Sequence, residues 1–133
     1  MDIDELKGIL ASNLKCAAPL GTFSDLDGLS LPNDYLEFLR FANGAFGFLG
    51  ETYVEFWSIR EIADANAELE IGAFLPGFLA FGGDGANELF VFDRRTSQGA
   101  GVYQVPMIGM EPDALRICAD TFTAFVLFLM KKS

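Results

Sequence analysis

A chain of 133 residues that is 51% hydrophobic and carries 14 phenylalanines can bury a core of its own, and it is too apolar to be disordered. Its formal charge of −10 argues against direct contact with nucleic-acid phosphates. The absence of histidine excludes a Ser-His-Asp triad, a Cys-His pair and any His-ligated zinc. In chain order, the first predicted element is a helix over Ile3 to Leu14, with Ile3, Leu6, Leu10 and Leu14 on one face and Asp2 or Asp4 as its cap. Lys15 to Ser30, with Pro19, Gly21 and Gly28, reads as a linker. A second helix starts at Pro32, where a missing N–H costs nothing, and Asp34 suits the positive end of its dipole. Tyr35, Phe38, Leu39 and Ala42 repeat at i, i+3, i+4 and i+7, and Asn43-Gly44 can close the helix in a left-handed turn.

Phe46 and Phe48 then fall in what reads as a loop with Gly47 and Gly50. Such aromatics either cap the core or project as a binding edge, and the core is the expected place. Thr52 to Trp57 is a predicted strand. Ser58-Ile59-Arg60-Glu61 has the form of a capping box, so a third helix runs from about Ile59 to Leu69. Phe78 to Gly82 and Leu89 to Asp93 are predicted as paired antiparallel strands, joined by a turn of residues that tolerate positive φ. Arg94 to Gly101 is a polar loop and Val102 to Ile108 another strand, with Pro106 suited to an edge or bulge. Glu111-Pro112-Asp113 is a turn and Leu115 to Ala119 a short extended segment. A last helix begins at Asp120 or Thr121 and ends near Lys131.

These elements do not alternate regularly. They predict a single α+β domain over residues 1–133, with a small antiparallel sheet of about four strands packed against several helices. The acidic start lacks the features of a signal peptide, and no apolar run approaches the ~20 residues of a membrane span, so a cytoplasmic protein with no membrane association is expected. Cys16 and Cys118 lie far apart, outside any CxxC pair, and read as reduced, buried thiols.

The richest polar cluster is Asp84, Asn87, Glu88 and Asp93. Its oxygens could serve Ca²⁺ or Mg²⁺ or support an enzymatic site, but the spacing is not that of an EF-hand loop. A hairpin whose Asp and Asn brace the turn explains it better, and neither metal nor cofactor is expected. The adjoining glycines do not spell a phosphate loop. Along the Thr52 strand, Tyr53, Glu55 and Trp57 alternate with Val54 and Phe56. If the first set faces outward, it forms an aromatic–acidic patch suited to a basic protein; if it lies under the second helix, both aromatics are core. Charge leaves the same choice open. Residues 17–93 hold 13 acids and two bases, 2 − 13 = −11, which would steer a basic partner or merely keep a Phe-rich chain soluble.

Taken in order, Leu31-Pro32-Asn33-Asp34-Tyr35-Leu36-Glu37-Phe38-Leu39, Asn43-Gly44, Pro76-Gly77-Phe78-Leu79-Ala80-Phe81, Gly83-Asp84-Gly85, the strand ending at Asp93 and Phe122-Thr123-Ala124-Phe125 resemble the SUKH superfamily, the fungal cell-wall-assembly-regulator homology group. The resemblance covers roughly residues 25 to 130. It implies a non-enzymatic α+β domain, most often a bacterial immunity protein that binds and neutralises a toxin such as a nuclease, and in fungi a regulatory interaction module. Partner-binding residues are expected at Tyr53, Glu55, Trp57, Asp84 and Glu88.

Overall fold

A computed structural model describes residues 2–19, 31–95 and 101–131. Residues 20–30, most of the expected linker, and 96–100, most of the expected polar loop, lie outside the described residues. Helix α1 (Ile3–Asn13) opens with the Asp2 carboxylate accepting from the Glu5 N–H at 2.9 Å, and it buries Leu6 and Leu10. Strand β1 (Leu14–Cys16) follows at once. Helix α2 (Asn33–Phe41) has Pro32 just outside its first turn and buries Tyr35, Phe38 and Leu39. Strands β2 (Ala45–Leu49) and β3 (Thr52–Phe56) form a hairpin across Gly50, whose φ of 62° suits a residue without Cβ. Helix α3 (Ile59–Glu68) carries the full capping box between Ser58 and Glu61, and α4 (Ile71–Phe74) is a single turn. Strands β4 (Phe78–Gly83), β5 (Glu88–Asp93), β6 (Gly101–Pro106) and β7 (Arg116–Ala119) lead to α5 (Phe122–Lys131), capped by Thr121.

The sheet therefore has seven strands among the described residues, ordered β1 to β7 and antiparallel throughout, not about four. The difference lies in β1 and β2, expected as helix end, linker and loop, and in β7, expected only as a short extended segment outside the sheet. They are short or glycine-broken runs whose strand character comes from the neighbour they pair with. Phe46 and Phe48, expected to cap the core from a loop, instead alternate along β2 on its outward side and are 46% and 58% exposed.

Two hydrophobic clusters lie on opposite faces of the sheet. The larger joins α1, α2, α5 and the start of α3 to Val54, Phe56, Leu79, Phe81, Phe90, Phe92 and Val102. The smaller joins Ile71 and Leu75 to Phe78, Ala80, Leu89, Val91 and Val105. Tyr35 sits at the centre of the larger cluster. Its ring meets Phe81, Phe92 and Phe122 edge-on at 4.8–5.6 Å between centroids. Its hydroxyl donates to the Trp57 carbonyl at 2.7 Å, with the Phe81 carbonyl at 3.3 Å. Asp34, beyond suiting the dipole of α2, accepts from both the N–H and the hydroxyl of Thr123 at 2.8 Å, so it ties the start of α2 to that of α5.

Strands β3 and β4 pair only at Glu55–Gly83 and Phe56–Gly82 before they part. Helix α3 fills the wedge. Asn66 stands in for the missing strand, donating to the Ala80 carbonyl and accepting from the Ala80 N–H, both at 2.8 Å. A backbone donor and acceptor that would otherwise be buried unpaired are thereby satisfied.

Candidate functional site

The parting of β3 from β4 decides what happens on the outward side of the first hairpin. Val54 and Phe56 point into the larger cluster. By strand alternation Tyr53 and Glu55 point the other way, with Trp57 following them at the strand end. Cross-strand pairing places Phe46 beside Glu55 and Phe48 beside Tyr53 on that same face. Tyr53, Glu55 and Trp57 are all half-buried, so neither aromatic is lost in the core. Trp57 leans on both hydrophobic clusters along one edge. Phe48 and Tyr53 meet edge-on at 5.5 Å.

This face opens into a groove of about 460 Å³ lined by Lys15, Phe46, Tyr53, Glu55, Trp57 and Glu61, with the chain around Cys16 and Asn43-Gly44 as its end wall. The local sequence holds each wall in place. Asn43 accepts from the Ile59 N–H at 3.0 Å, which ties the end of α2 to the start of α3. Gly44, at φ 105°, passes so close that a Cβ would stand 3.1–3.2 Å from the Ser58 nitrogen and the Phe56 carbonyl. Glu61 accepts from the Ser58 N–H at 2.9 Å, so its carboxylate is held at the groove edge.

The Tyr53 hydroxyl lies 3.4 Å from a Glu55 oxygen. Partial burial raises the Tyr53 pKa, and the adjacent Glu55 charge and its hydrogen bond raise it further, so the hydroxyl stays a donor. Among the described residues neither Glu55 nor Glu61 pairs with a basic side chain. The groove thus combines aromatic faces with two carboxylates, a setting that favours a cation or a donor-rich polar group.

The other residues expected at the site are distributed differently. Asp84 braces the β4–β5 turn, its carboxylate accepting from the N–H groups of Ala86 at 2.9 Å and Glu88 at 3.1 Å. The turn folds against the patch, for a Cβ on Gly85 would come within 2.7–2.9 Å of the Tyr53 ring. Glu88 is on the opposite face of the sheet. Glu55 aligns with Gly83, and Gly83 with Leu89, so Glu88, one residue before Leu89, points away from Glu55. There it pairs with Arg116 and accepts from Gln104 at 3.2 Å. Asp93 is buried at the far end of β5, held by the Arg95 guanidinium at 3.0 and 3.1 Å and the Arg95 N–H at 2.9 Å. Those hydrogen bonds to Arg95 hold its carboxyl below the usual range, against the opposing effect of burial. Asp84, Glu88 and Asp93 therefore occupy three separate surroundings, and no group of three His, Cys, Asp or Glu side chains converges among the described residues.

Cys16 packs on the larger cluster with its thiol pKa raised by burial, and neither it nor Cys118 is in a disulfide. Among the described residues no helix is long and apolar enough to cross a membrane. Phe46, Lys15 and Glu61 were not expected at the site. The signal for Phe46 was present as a hairpin pattern, Phe46-x-Phe48 facing Tyr53-x-Glu55 across Gly50-Glu51. A family model described as the SMI1 / KNR4 family (SUKH-1) matches residues 24–127, which spans α2 through most of α5 and includes the groove except at β1. Comparison with curated proteins found no match.

Proposed function

The chain belongs to the SMI1 / KNR4 family (SUKH-1), and from that premise we propose that it is a non-enzymatic module that docks a basic protein partner, most simply a toxin domain such as a nuclease, and neutralises it by covering its cationic surface. The single observation behind this reading is the outward face of the β2–β3 hairpin, where Phe46, Phe48, Tyr53 and Trp57 share a side with Glu55 and none of them is buried. Aromatic side chains are enriched at protein interfaces, where they give large contact area at low entropic cost, and a charge beside them adds selectivity for a basic partner. Occlusion needs no covalent chemistry. Carboxylates take the place of the phosphates that a nuclease would otherwise bind, and the −11 charge of residues 17–93 speeds the encounter. A reduced, cytoplasmic setting fits two half-buried thiols that form no disulfide.

The test is a pull-down from native lysate, identification of the partner by mass spectrometry, and surface plasmon resonance across a salt series. A basic toxin domain is expected, with an on-rate that falls steeply with salt because exposed charges are screened beyond ~10 Å at 0.1 M. Glu55→Gln should slow association, whereas Tyr53→Ala should speed dissociation. A neutral or acidic partner, or an on-rate indifferent to salt, would overturn the reading and leave the regulatory scaffold, binding a cellular protein that is not a toxin, as the better account.

A further inference from the structure

The groove beside the aromatic face has a chemistry more specific than a general acidic surface, and we infer that it is a seat for one arginine side chain of the docked partner. The inference rests on the docking reading above and names what that face recognises first. Two carboxylates line the cavity, and neither is neutralised by a basic side chain among the described residues. Glu61 is oriented by its bond to the Ser58 N–H, which engages one oxygen. Among the described residues Glu55 accepts only the long 3.4 Å contact from Tyr53. Both can accept more hydrogen bonds, and a guanidinium supplies five N–H donors in a planar fork.

Phe46, Tyr53 and Trp57 also line the groove. Aromatic faces attract a flat, weakly hydrated cation and also accept its three-carbon stem. A lysine would bring the same charge but neither the plane nor the fork, so arginine is preferred. The volume of about 460 Å³ lies in the ordinary range of ligand pockets, ~300–1,000 Å³. Lys15, paired across the strands with Phe46, is the one basic side chain lining the groove among the described residues. It opposes entry of a second positive charge, so it tunes the seat rather than forming it.

Trp57 is the only tryptophan in the chain, so its fluorescence reports occupation of the groove directly. The probe is the peptide acetyl-Gly-Arg-Gly-amide, titrated at low salt against the intact protein. The control is the same peptide with citrulline, which keeps the shape of arginine and removes the charge. A saturable change in Trp57 emission is expected with arginine, with citrulline at least ~10-fold weaker, as expected when a charged hydrogen-bonding group is lost. Glu55→Gln should weaken the arginine peptide about 5-fold, and Lys15→Met should strengthen it about 3-fold by removing the lysine charge. Both positions lie at the surface of the groove, and thermal melts of the variants show that each remains folded. Equal binding of arginine and citrulline peptides, or indifference to both substitutions, overturns the seat. If the arginine peptide fails while Tyr53→Ala still weakens the captured basic partner, the seat is refuted and the docking reading stands. If the peptide binds as described but the captured partner does not use this face, the seat stands and the docking reading fails.

Discussion

Replacing Tyr35 by Phe removes a single oxygen from the centre of the larger cluster and leaves the ring, with its edge-on contacts to Phe81, Phe92 and Phe122, in place. No cavity of consequence opens, so the loss is confined to hydrogen bonding. The Trp57 carbonyl loses a 2.7 Å donor, and the Phe81 carbonyl loses a weaker one at 3.3 Å but keeps the Trp57 N–H at 2.9 Å. One acceptor is left unsatisfied, which costs about 1–3 kcal/mol. With an unfolding entropy of ~2.1 cal/mol/K per residue, that is a fall in Tm of about 4–11 °C for a domain of this length. The variant also carries a signature in alkali. Burial holds the Tyr35 hydroxyl well above its usual pKa of 10, and the nearby Glu61 charge adds to this. A folded-state pKa raised above the unfolded value gives stability that is complete below ~pH 10 and lost as pH rises toward the folded pKa, because the unfolded chain sheds the proton first. Urea melts from pH 8 to 11 should therefore show wild type losing stability faster above pH 10 than Tyr35→Phe. Tyr53 contributes a smaller dependence of the same sign in both proteins. A loss under ~0.3 kcal/mol at pH 8, or parallel pH profiles, would refute the assignment of that hydroxyl to the Trp57 carbonyl.

Asn66→Ala should cost about 2–3 kcal/mol in urea melts, since it strips both backbone groups of Ala80 of their partner at once; a change below ~0.5 kcal/mol would mean that water takes over the role. Gly82→Ala should destabilise the protein and widen the β3–β4 wedge, because its Cβ would fall onto the Glu55 carbonyl; amide exchange should show lost protection at Trp57, whose N–H bonds the Phe81 carbonyl at 2.9 Å, and unchanged protection would count against the register. Asp93→Asn should flatten the acid limb of the stability profile. The lowered carboxyl contributes above its unfolded pKa near 4, and that contribution is lost as pH falls through the folded pKa, so only wild type should weaken there on its account; identical acid limbs would contradict the Arg95 pairing.

The local elements of this protein were readable from its sequence because their causes lie within a few residues. Asp2 caps α1, and Ser58 with Glu61 closes a capping box at the start of α3. Asp84 braces a turn whose Gly85 adopts φ 78°. Tyr35, Phe38 and Leu39 form a buried stripe that any 3.6-residue period reveals. Strand β7 was legible as a short extended segment, but strands β1 and β2 carry no such local cause. Leu14–Cys16 is three residues long, and Ala45–Leu49 is interrupted by Gly47, so each becomes a strand only because a neighbour supplies the hydrogen bonds. Alternation showed that Tyr53, Glu55 and Trp57 share a side, but it could not say which side the helices cover. That was decided by where β3 and β4 part, where α3 enters and which residues line the gap, contacts between segments far apart in the chain. The same distance separates Glu55 from Glu88. Both are acidic and both were expected at one surface, yet a sheet has two faces, and the strand register set them on opposite ones.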